Sequence, residues 1–252
     1  MRRILWLLAA FVAGCATSPL GRSQLKLVSD DQMAQMGVAA YSDLQKKVPR
    51  STDQHAIRYV QCVANAITSE IEGGRTWEVT LFDDKQVNAF ALPGGKIGVY
   101  SGLLKVAVTQ DQLAAVVGHE VSHVLAGHSS ERVSQNMLGE LGTTVVSAAT
   151  GIDSQALGVA TNVFFLLPFS RTHESEADLL GLDLMAQAGF NPEGAVTLWQ
   201  NMAKAAADKP PEMLSTHPSD NNRITALYNR LPHARPIYEH ARAEGLRPNC
   251  GP

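Results

Sequence analysis

The chain has 252 residues, of which 45% are hydrophobic and 18% are charged, a composition that suits one sizeable globular core or two small ones. Its formal net charge is −3 and no basic block occurs, which argues against nucleic acid as a partner.

The N-terminus carries a pattern typical of an export signal. Arg2 and Arg3 precede an apolar run, residues 4–12, that is too short for a membrane span of roughly 20 residues. The stretch Val12-Ala13-Gly14-Cys15 resembles a bacterial lipobox, in which the cysteine is lipidated and becomes the first residue of the mature protein. The alternative is an ordinary signal peptide with an incidental cysteine.

We therefore predict a lipoprotein signal peptide over residues 1–14, a lipid on Cys15, a lipidated tether over residues 15–29 and a single folded domain over residues 30–252. Ala16 follows the cysteine, and by resemblance to sorted lipoproteins of two-membrane bacteria this residue favours the outer membrane. The expected location is the bacterial cell envelope, on the periplasmic face of the outer membrane, with the lipid as the membrane anchor.

The two other cysteines are Cys62 and Cys250. An export signal places them in an oxidising compartment, where a pair of cysteines is a candidate disulfide. Spacing alone does not determine pairing, so two unpaired thiols are the alternative.

The folded part begins with helical periodicity over residues 30–72, which is interrupted near Pro49. Three short strands are predicted next, at residues 77–82, 87–92 and 96–100, the last two on either side of the turn signal Pro93-Gly94-Gly95. The chain after them is mostly helical. These elements predict a mostly helical α+β fold with a small sheet next to the active-site helix.

That helix carries the motif His119-Glu120-x-x-His123. Thr109 can cap its start and Gly127 can end it. The two histidines are four residues apart, about 40° around a helix, so both imidazoles point to one side, and Glu120 lies on the same flank. This pattern supplies two zinc ligands and a general base, whereas the alternative is a helix with two satisfied surface histidines.

A third ligand must come from elsewhere. His128 follows Gly127, where the helix is expected to end, and would point away from the pair if the helix continued, so we expect His128 to be structural or to support a ligand. In a helix further downstream, which Ser170 can cap, Glu174 and Asp178 share a face, whereas Glu176 points the other way. A carboxylate ligand with a second carboxylate one turn later to hold a histidine N–H is what a His₂Glu zinc site requires. The alternative is an acidic, solvated helix face.

Four motifs, in order, carry a family resemblance: Asn88-Ala89-Phe90-Ala91 with Pro93-Gly94-Gly95, the His119 motif, Glu174-x-Glu176-Ala177-Asp178-x-x-Gly181, and Thr216-His217-Pro218-x-x-x-x-Arg223. Together they resemble metallopeptidase family forty-eight, of the prenyl-protein protease and HtpX type, and most closely its soluble periplasmic lipoprotein branch. The resemblance covers roughly residues 30 to 232 and implies a zincin fold of the gluzincin type.

The resemblance implies one Zn²⁺ per chain, with His119, His123 and Glu174 as ligands, Glu120 as the base and Asp178 as the residue that orients a ligand. His217 and Arg223 match positions that family members bring back to the active site, so we expect one of them to stabilise the oxyanion. His217 has a second interpretation, in which it takes the fourth zinc position and keeps the enzyme latent.

The expected reaction is hydrolysis of peptide bonds, and family members without membrane spans act on misfolded or misassembled envelope proteins. Asn88, Ala89, Phe90 and Ala91 are expected in an edge strand that pairs with an extended polypeptide substrate; the alternative is an ordinary hairpin. The outer-membrane assembly machinery is the expected partner. A different class of function is also open: an envelope chaperone or assembly scaffold with a mainly structural zinc site.

Overall fold

The structure is a computed structural model that describes residues 15–140, 162–208, 211–217 and 222–251. The predicted signal peptide, residues 1–14, lies outside the described residues. Cys15, the predicted lipid site, is the first residue of a short strand and pairs with Leu25.

The described residues form five strands, eight α-helices and two short helical turns. The strands are β1 (Cys15–Thr17), β2 (Ser23–Leu25), β3 (Glu78–Phe82), β4 (Ala89–Leu92) and β5 (Lys96–Tyr100). The helices are α1 (Asp30–Lys47), α2 (Gln54–Ser69), α3 (Gln110–Leu125), α4 (His128–Glu140), α5 (Arg171–Gln187), α6 (Glu193–Asp208), α7 (Glu212–Thr216) and α8 (Arg223–Ala243). A 3₁₀ turn covers Ser101–Lys105 and a π-helical turn covers Asn162–Leu166.

The mostly helical α+β fold predicted from the sequence is confirmed. The three predicted strands form one sheet in the order β3-β5-β4, with β3 parallel and β4 antiparallel to β5. Gly94 and Gly95 both have positive φ in the turn between β4 and β5, which explains the two glycines there. Strand β3 begins at Glu78, one residue later than predicted, and β4 begins at Ala89, two residues later than predicted.

Helix α3 runs through the centre of the molecule. The Thr109 hydroxyl accepts from the N–H of Gln112 at its start, and every residue from Gln112 to His123 is buried. Its neighbours are α2, α5, α6 and the edge strand β4. A helix covered on all sides needs apolar residues around its whole circumference, so the polar residues it does carry stand out as functional candidates.

Helices α3 and α5 approach each other closely at two glycines. A Cβ added at Gly118 would lie 2.8 Å from the carbonyl oxygen of Gly181, and one added at Gly181 would lie 2.7 Å from the amide nitrogen of His119. Only a residue without a side chain fits at either position, and this close crossing brings the carboxylates of α5 next to the histidines of α3.

Residues 15–29 are more ordered than the tether that their composition predicted. β1 and β2 form an antiparallel pair, and the Gln24 amide donates to the Ala126 carbonyl at 2.5 Å. The Leu27 N–H donates to Ser134 Oγ in α4 at 2.9 Å. Because its polar groups find partners on the folded domain, this hairpin packs on that domain instead of acting only as a spacer.

Residues near the C-terminus are also attached to the folded domain. Cys62 in α2 forms a disulfide with Cys250, and the Gln110 side chain, in the first turn of α3, bonds to the backbone of Pro248 and of Cys250. Among the described helices, none combines the length and the apolar character that a membrane crossing would need.

Candidate metal centre

Helix α3 presents two imidazoles to one point. His119 Nε2 lies 3.1 Å from His123 Nε2, and both rings are almost fully buried. One helical turn separates the residues, which is why both rings project from the same flank, as the motif predicted. Glu120 is also buried, beside them.

Helix α5 brings a carboxylate to the same point. Ser170 caps this helix through the N–H of His173, which places Glu174 in the first turn, opposite α3. Its Oε2 lies 3.4 Å from His119 Nε2, and its Oε1 lies 3.4 Å from His123 Nε2. The three ligands predicted from the sequence are therefore brought together.

The donor set fits a small tetrahedral metal ion. Ligand bonds of about 2.0–2.1 Å at tetrahedral angles place neighbouring donor atoms about 3.3 Å apart. The two imidazole nitrogens are 3.1 Å apart here, and each lies 3.4 Å from one of the two oxygens of Glu174. Within the described residues Glu174 Oε2 accepts no well-directed hydrogen bond, although His119 Nε2 and Arg223 Nη1, at 3.1 Å, both lie nearby. Two imidazoles and a carboxylate are ligands that Zn²⁺ favours.

His217 lies at the fourth corner of this group. Its Nδ1 is 3.3 Å from His119 Nε2 and 3.0 Å from Glu174 Oε1, so one ligand atom from each of the four residues fits within 4.8 Å. Its other ring nitrogen lies 3.4 Å from Glu120 Oε1. The ring stacks on Phe169, with centroids 5.2 Å apart. Its position therefore suits a fourth ligand.

Asp178 and Arg223 contact the ligands. Asp178 Oδ1 lies 2.9 Å from His119 Nδ1 and accepts from Arg223 Nη2 at 2.6 Å. The guanidinium also lies 3.5 Å from the centroid of the Trp199 ring. Arg223 thus balances the negative charge of Glu174 and Asp178, while the oxyanion role suggested for it stays a prediction.

Burial changes the proton affinity of the base. Glu120 is buried, and this loss of solvation raises the pKa of its carboxyl. A carboxylate base works best when its pKa approaches the working pH, so this environment suits proton transfer.

A cavity of about 320 Å³ opens beside Glu120 and His217. Its walls include residues 88–92, which contain the whole of β4 and the residues predicted to bind substrate, Asn88, Ala89, Phe90 and Ala91. In the described part of the chain β4 has β5 on one side and no strand on the other. Strand β4 therefore belongs to a hairpin, as one interpretation of this stretch expected. It is also an edge strand that borders the cavity, as the substrate-binding interpretation requires.

His128 contacts a metal ligand, which agrees with the structural or ligand-supporting role expected for it. Gly127 has φ of +68°, which ends α3 and redirects the chain, so His128 begins α4 and turns back toward the site. Its Nδ1 lies 2.9 Å from His123 Nδ1 and its Nε2 lies 3.1 Å from Glu176 Oε2. Burial lowers the pKa of His128 to about 4, which keeps the ring neutral.

Glu176 and Arg22 are the site residues for which the sequence offered the least signal. Glu176 does point away from the metal ligands, as its helical position predicted, yet it is buried and bonds to His128 and Arg22. A buried acid needs a cationic or N–H partner. That requirement could have indicated that Glu176 needs a cation. It could not have indicated that Arg22, 154 positions away in the sequence, supplies the cation.

The chain is similar to several known proteins. A family model described as Peptidase family M48 matches residues 51–231. The mitochondrial metalloendopeptidase OMA1 of Arabidopsis thaliana is 35% identical over 232 residues, covering 90% of this chain and 47% of that protein. The protein of the same name from Schizosaccharomyces pombe is 40% identical over 161 residues, covering 63% and 48%. The beta-barrel assembly-enhancing protease of Escherichia coli is 27% identical over 242 residues, covering 90% and 50%. The chain spans about half the length of these relatives.

Proposed function

Because the chain belongs to peptidase family M48, we propose that it is a zinc-dependent metalloendopeptidase, with His119, His123 and Glu174 as the ligands of one zinc ion and Glu120 as the base. The observation that carries the proposal is the convergence of two imidazoles and a carboxylate at tetrahedral distances with a buried glutamate beside them.

The residues divide the chemistry among them. Bound zinc supplies a Lewis acid that polarises the peptide carbonyl and makes water more acidic. Glu120 takes the proton from the attacking water and delivers it to the leaving amine. Strand β4 aligns an extended substrate along the cavity by backbone pairing. Asp178 keeps His119 Nδ1 protonated, which leaves Nε2 free to bind the metal.

The direct test replaces the base alone. We expect Glu120→Gln to lower casein cleavage by about 10²–10⁴-fold, the usual contribution of a general base, while zinc content and circular dichroism stay unchanged. Glu193→Gln, which alters an exposed ion pair with Arg235, is the control and should keep full activity. Cleavage at the normal rate by Glu120→Gln would refute the enzymatic proposal.

We further propose that the substrates are misfolded or misassembled envelope proteins and that a lipid on Cys15 anchors the enzyme at the outer membrane. The N-terminal sequence pattern, the Cys62–Cys250 disulfide and the name of the Escherichia coli relative support this location. The relatives named OMA1 are described as mitochondrial, so family membership alone does not select a compartment. Metabolic labelling with a radioactive fatty acid, lost in Cys15→Ala, tests the anchor.

The position of His217 supports a latent form. A site with four protein ligands is closed, whereas three ligands and a water make a catalytic one. His217 must then leave its position before water and substrate can enter. We expect His217→Ala to raise casein and self-cleavage with zinc retained, and His55→Ala, at an exposed histidine of α2, to change neither. Lower activity in His217→Ala with intact zinc would instead support the oxyanion role.

The same four-residue set also favours a second function, an envelope assembly scaffold with a mainly structural metal site. A structural site has no use for Glu120. If Glu120→Gln supports assembly of outer-membrane proteins as well as the unsubstituted protein does, the scaffold function is independent of cleavage.

A further inference from the structure

We propose that Arg22, in the N-terminal hairpin, is a positioning residue for the metal site, which it reaches through Glu176 and His128. This inference rests on the proposed metal site. It assigns a role to a segment that lies before residue 51, where the family match begins.

The chain of contacts starts at the second ring nitrogen of a ligand. His123 Nε2 faces the metal position, and His123 Nδ1 lies 2.9 Å from His128 Nδ1. A nitrogen that binds a metal must offer its lone pair, so the proton of the neutral ring sits on the other nitrogen. His123 Nδ1 is therefore the donor in this pair, and His128 Nδ1 is the acceptor.

The remaining proton positions then follow. With Nδ1 as an acceptor, the neutral His128 ring carries its proton on Nε2, which donates to Glu176 Oε2 at 3.1 Å. Arg22 Nε donates to the same carboxylate oxygen at 3.0 Å. Every donor in this series has an acceptor, and the series ends at a permanently charged group. Such an arrangement fixes both the tautomer and the ring orientation of His123.

Arg22 holds a second carboxylate in the same way. Its Nη1 donates to Glu131 Oε1 at 2.9 Å, and its Nη2 lies 2.7 Å from Glu131 Oε2 in an ion pair. Glu131 also lies 3.1 Å from His173 Nε2, and the His173 ring stacks on His128 with centroids 4.4 Å apart. The planar guanidinium reaches both carboxylates because it presents several donors at fixed angles, which an ammonium group cannot reproduce.

The hairpin itself is fixed, so Arg22 is presented from a defined backbone. The Ser18 N–H donates to the Arg22 carbonyl at 2.8 Å and closes the turn between the strands. Gln24, two residues after Arg22, bonds to the Ala126 carbonyl at the end of α3. Loss of this docking would leave Glu176 and Glu131 without their cation, and both carboxylates are buried.

The test compares two arginines of similar exposure that pair with acids on the same helix. Arg22 is 23% exposed and binds Glu176 of α5, while Arg230 is 27% exposed and binds Asp183 of α5. The variants are Arg22→Met, Arg22→Lys, Glu176→Gln and, as the control, Arg230→Met. The readouts are zinc affinity by competition with a chelator and the visible spectrum of the cobalt-substituted protein, which reports ligand geometry.

We expect Arg22→Met to weaken zinc binding about 10-fold, as losses of ligand-orienting contacts do, and to shift the cobalt bands. Glu176→Gln should change both readouts in the same direction, Arg22→Lys should recover part of the affinity, and Arg230→Met should change neither. Unchanged zinc affinity and cobalt spectra in Arg22→Met and Glu176→Gln would overturn the inference. Absence of zinc binding in the unsubstituted protein would overturn the proposed function as well, so the two failures are distinguishable.

Discussion

Each histidine ligand has a partner at its second ring nitrogen. Asp178 Oδ1 lies 2.9 Å from Nδ1 of His119, and His128 Nδ1 lies 2.9 Å from Nδ1 of His123. These partners select the tautomer that directs Nε2 to the metal and prevent the rings from rotating. The two ligands therefore reach the same geometry by different means, one through a carboxylate and one through a neutral histidine.

We expect Asp178→Ala to keep the fold and to weaken zinc affinity about 10–100-fold, because His119 loses the acceptor that orients it. Arg223 keeps its ion pair with Glu174, at 3.1 Å, so the buried guanidinium is not left without a partner. Competition with a chelator measures the change. Asp183→Ala, on the same helix, is the control, and equal zinc affinity in both variants would show that Asp178 is only a structural charge.

The metal ligands could be predicted from the sequence because helical periodicity decides them. His119, His123 and Glu174 lie on helices whose N-caps and C-terminal glycines can be recognised in the sequence. The family resemblance assigns the roles of these three residues. His128 was expected to be structural or to support a ligand, but its contact with His123 could not be derived, because the direction of the chain after the left-handed Gly127 is not set by helical periodicity. Arg22 could not be predicted, since its partners come from packing between distant segments.

At the level of elements, the site depends on how closely α3 and α5 approach. Gly118 and Gly181 meet at the crossing, and the first residue after Gly118 is the ligand His119. Any side chain at the crossing would push the α5 carboxylates away from the α3 histidines. The spacing between the two helices therefore sets the distance between the metal ligands that they carry.

We expect Gly181→Ala to lower the free energy of unfolding by about 1–3 kcal/mol, the usual cost of overpacking, and to weaken zinc binding. Alanine favours a helix over glycine by about 1 kcal/mol, but its Cβ would lie 2.7 Å from the His119 amide nitrogen. Urea unfolding measures the change. Ala203→Val adds volume at an exposed position of α6 and should have little effect; a more stable Gly181→Ala variant would contradict this account of the crossing.

The elements themselves were largely predictable, whereas some of their partners were not. The Pro93-Gly94-Gly95 turn signal between two predicted strands indicated β4 and β5 as neighbours. The parallel pairing of β3 with β5 could not be predicted, because no short turn connects these two strands. The strands β1 and β2 have three residues each, which is too short for a periodic signal, so their composition indicated a tether instead.

Across the whole molecule, both terminal segments are attached to the helix that carries the metal ligands. The hairpin reaches the end of α3 through Gln24, and the last residues reach its start through Gln110. The Cys62–Cys250 disulfide closes a sequence separation of 188 residues. A long closed loop restricts the unfolded chain strongly, by about 5 kcal/mol in the entropic treatment.

We expect the double variant Cys62→Ala/Cys250→Ala to lose about 2–5 kcal/mol of unfolding free energy, the usual range for a removed native disulfide. Zinc content should stay unchanged, because neither cysteine touches the site. Chemical denaturation with and without reductant measures the loss, and the reduced unsubstituted protein should behave like the double variant. Alkylation of both thiols in the non-reduced protein, detected by mass spectrometry, would contradict the pairing.

The most direct measurement for the whole account is a zinc titration of chelator-treated protein, followed by casein cleavage. We expect cleavage to disappear when the metal is removed, to return in proportion to added zinc and to saturate at one zinc per chain, since the described ligands form one site. Cleavage that continues after complete removal of the metal would contradict a zinc-dependent peptidase, as would full reloading with zinc that restores no cleavage.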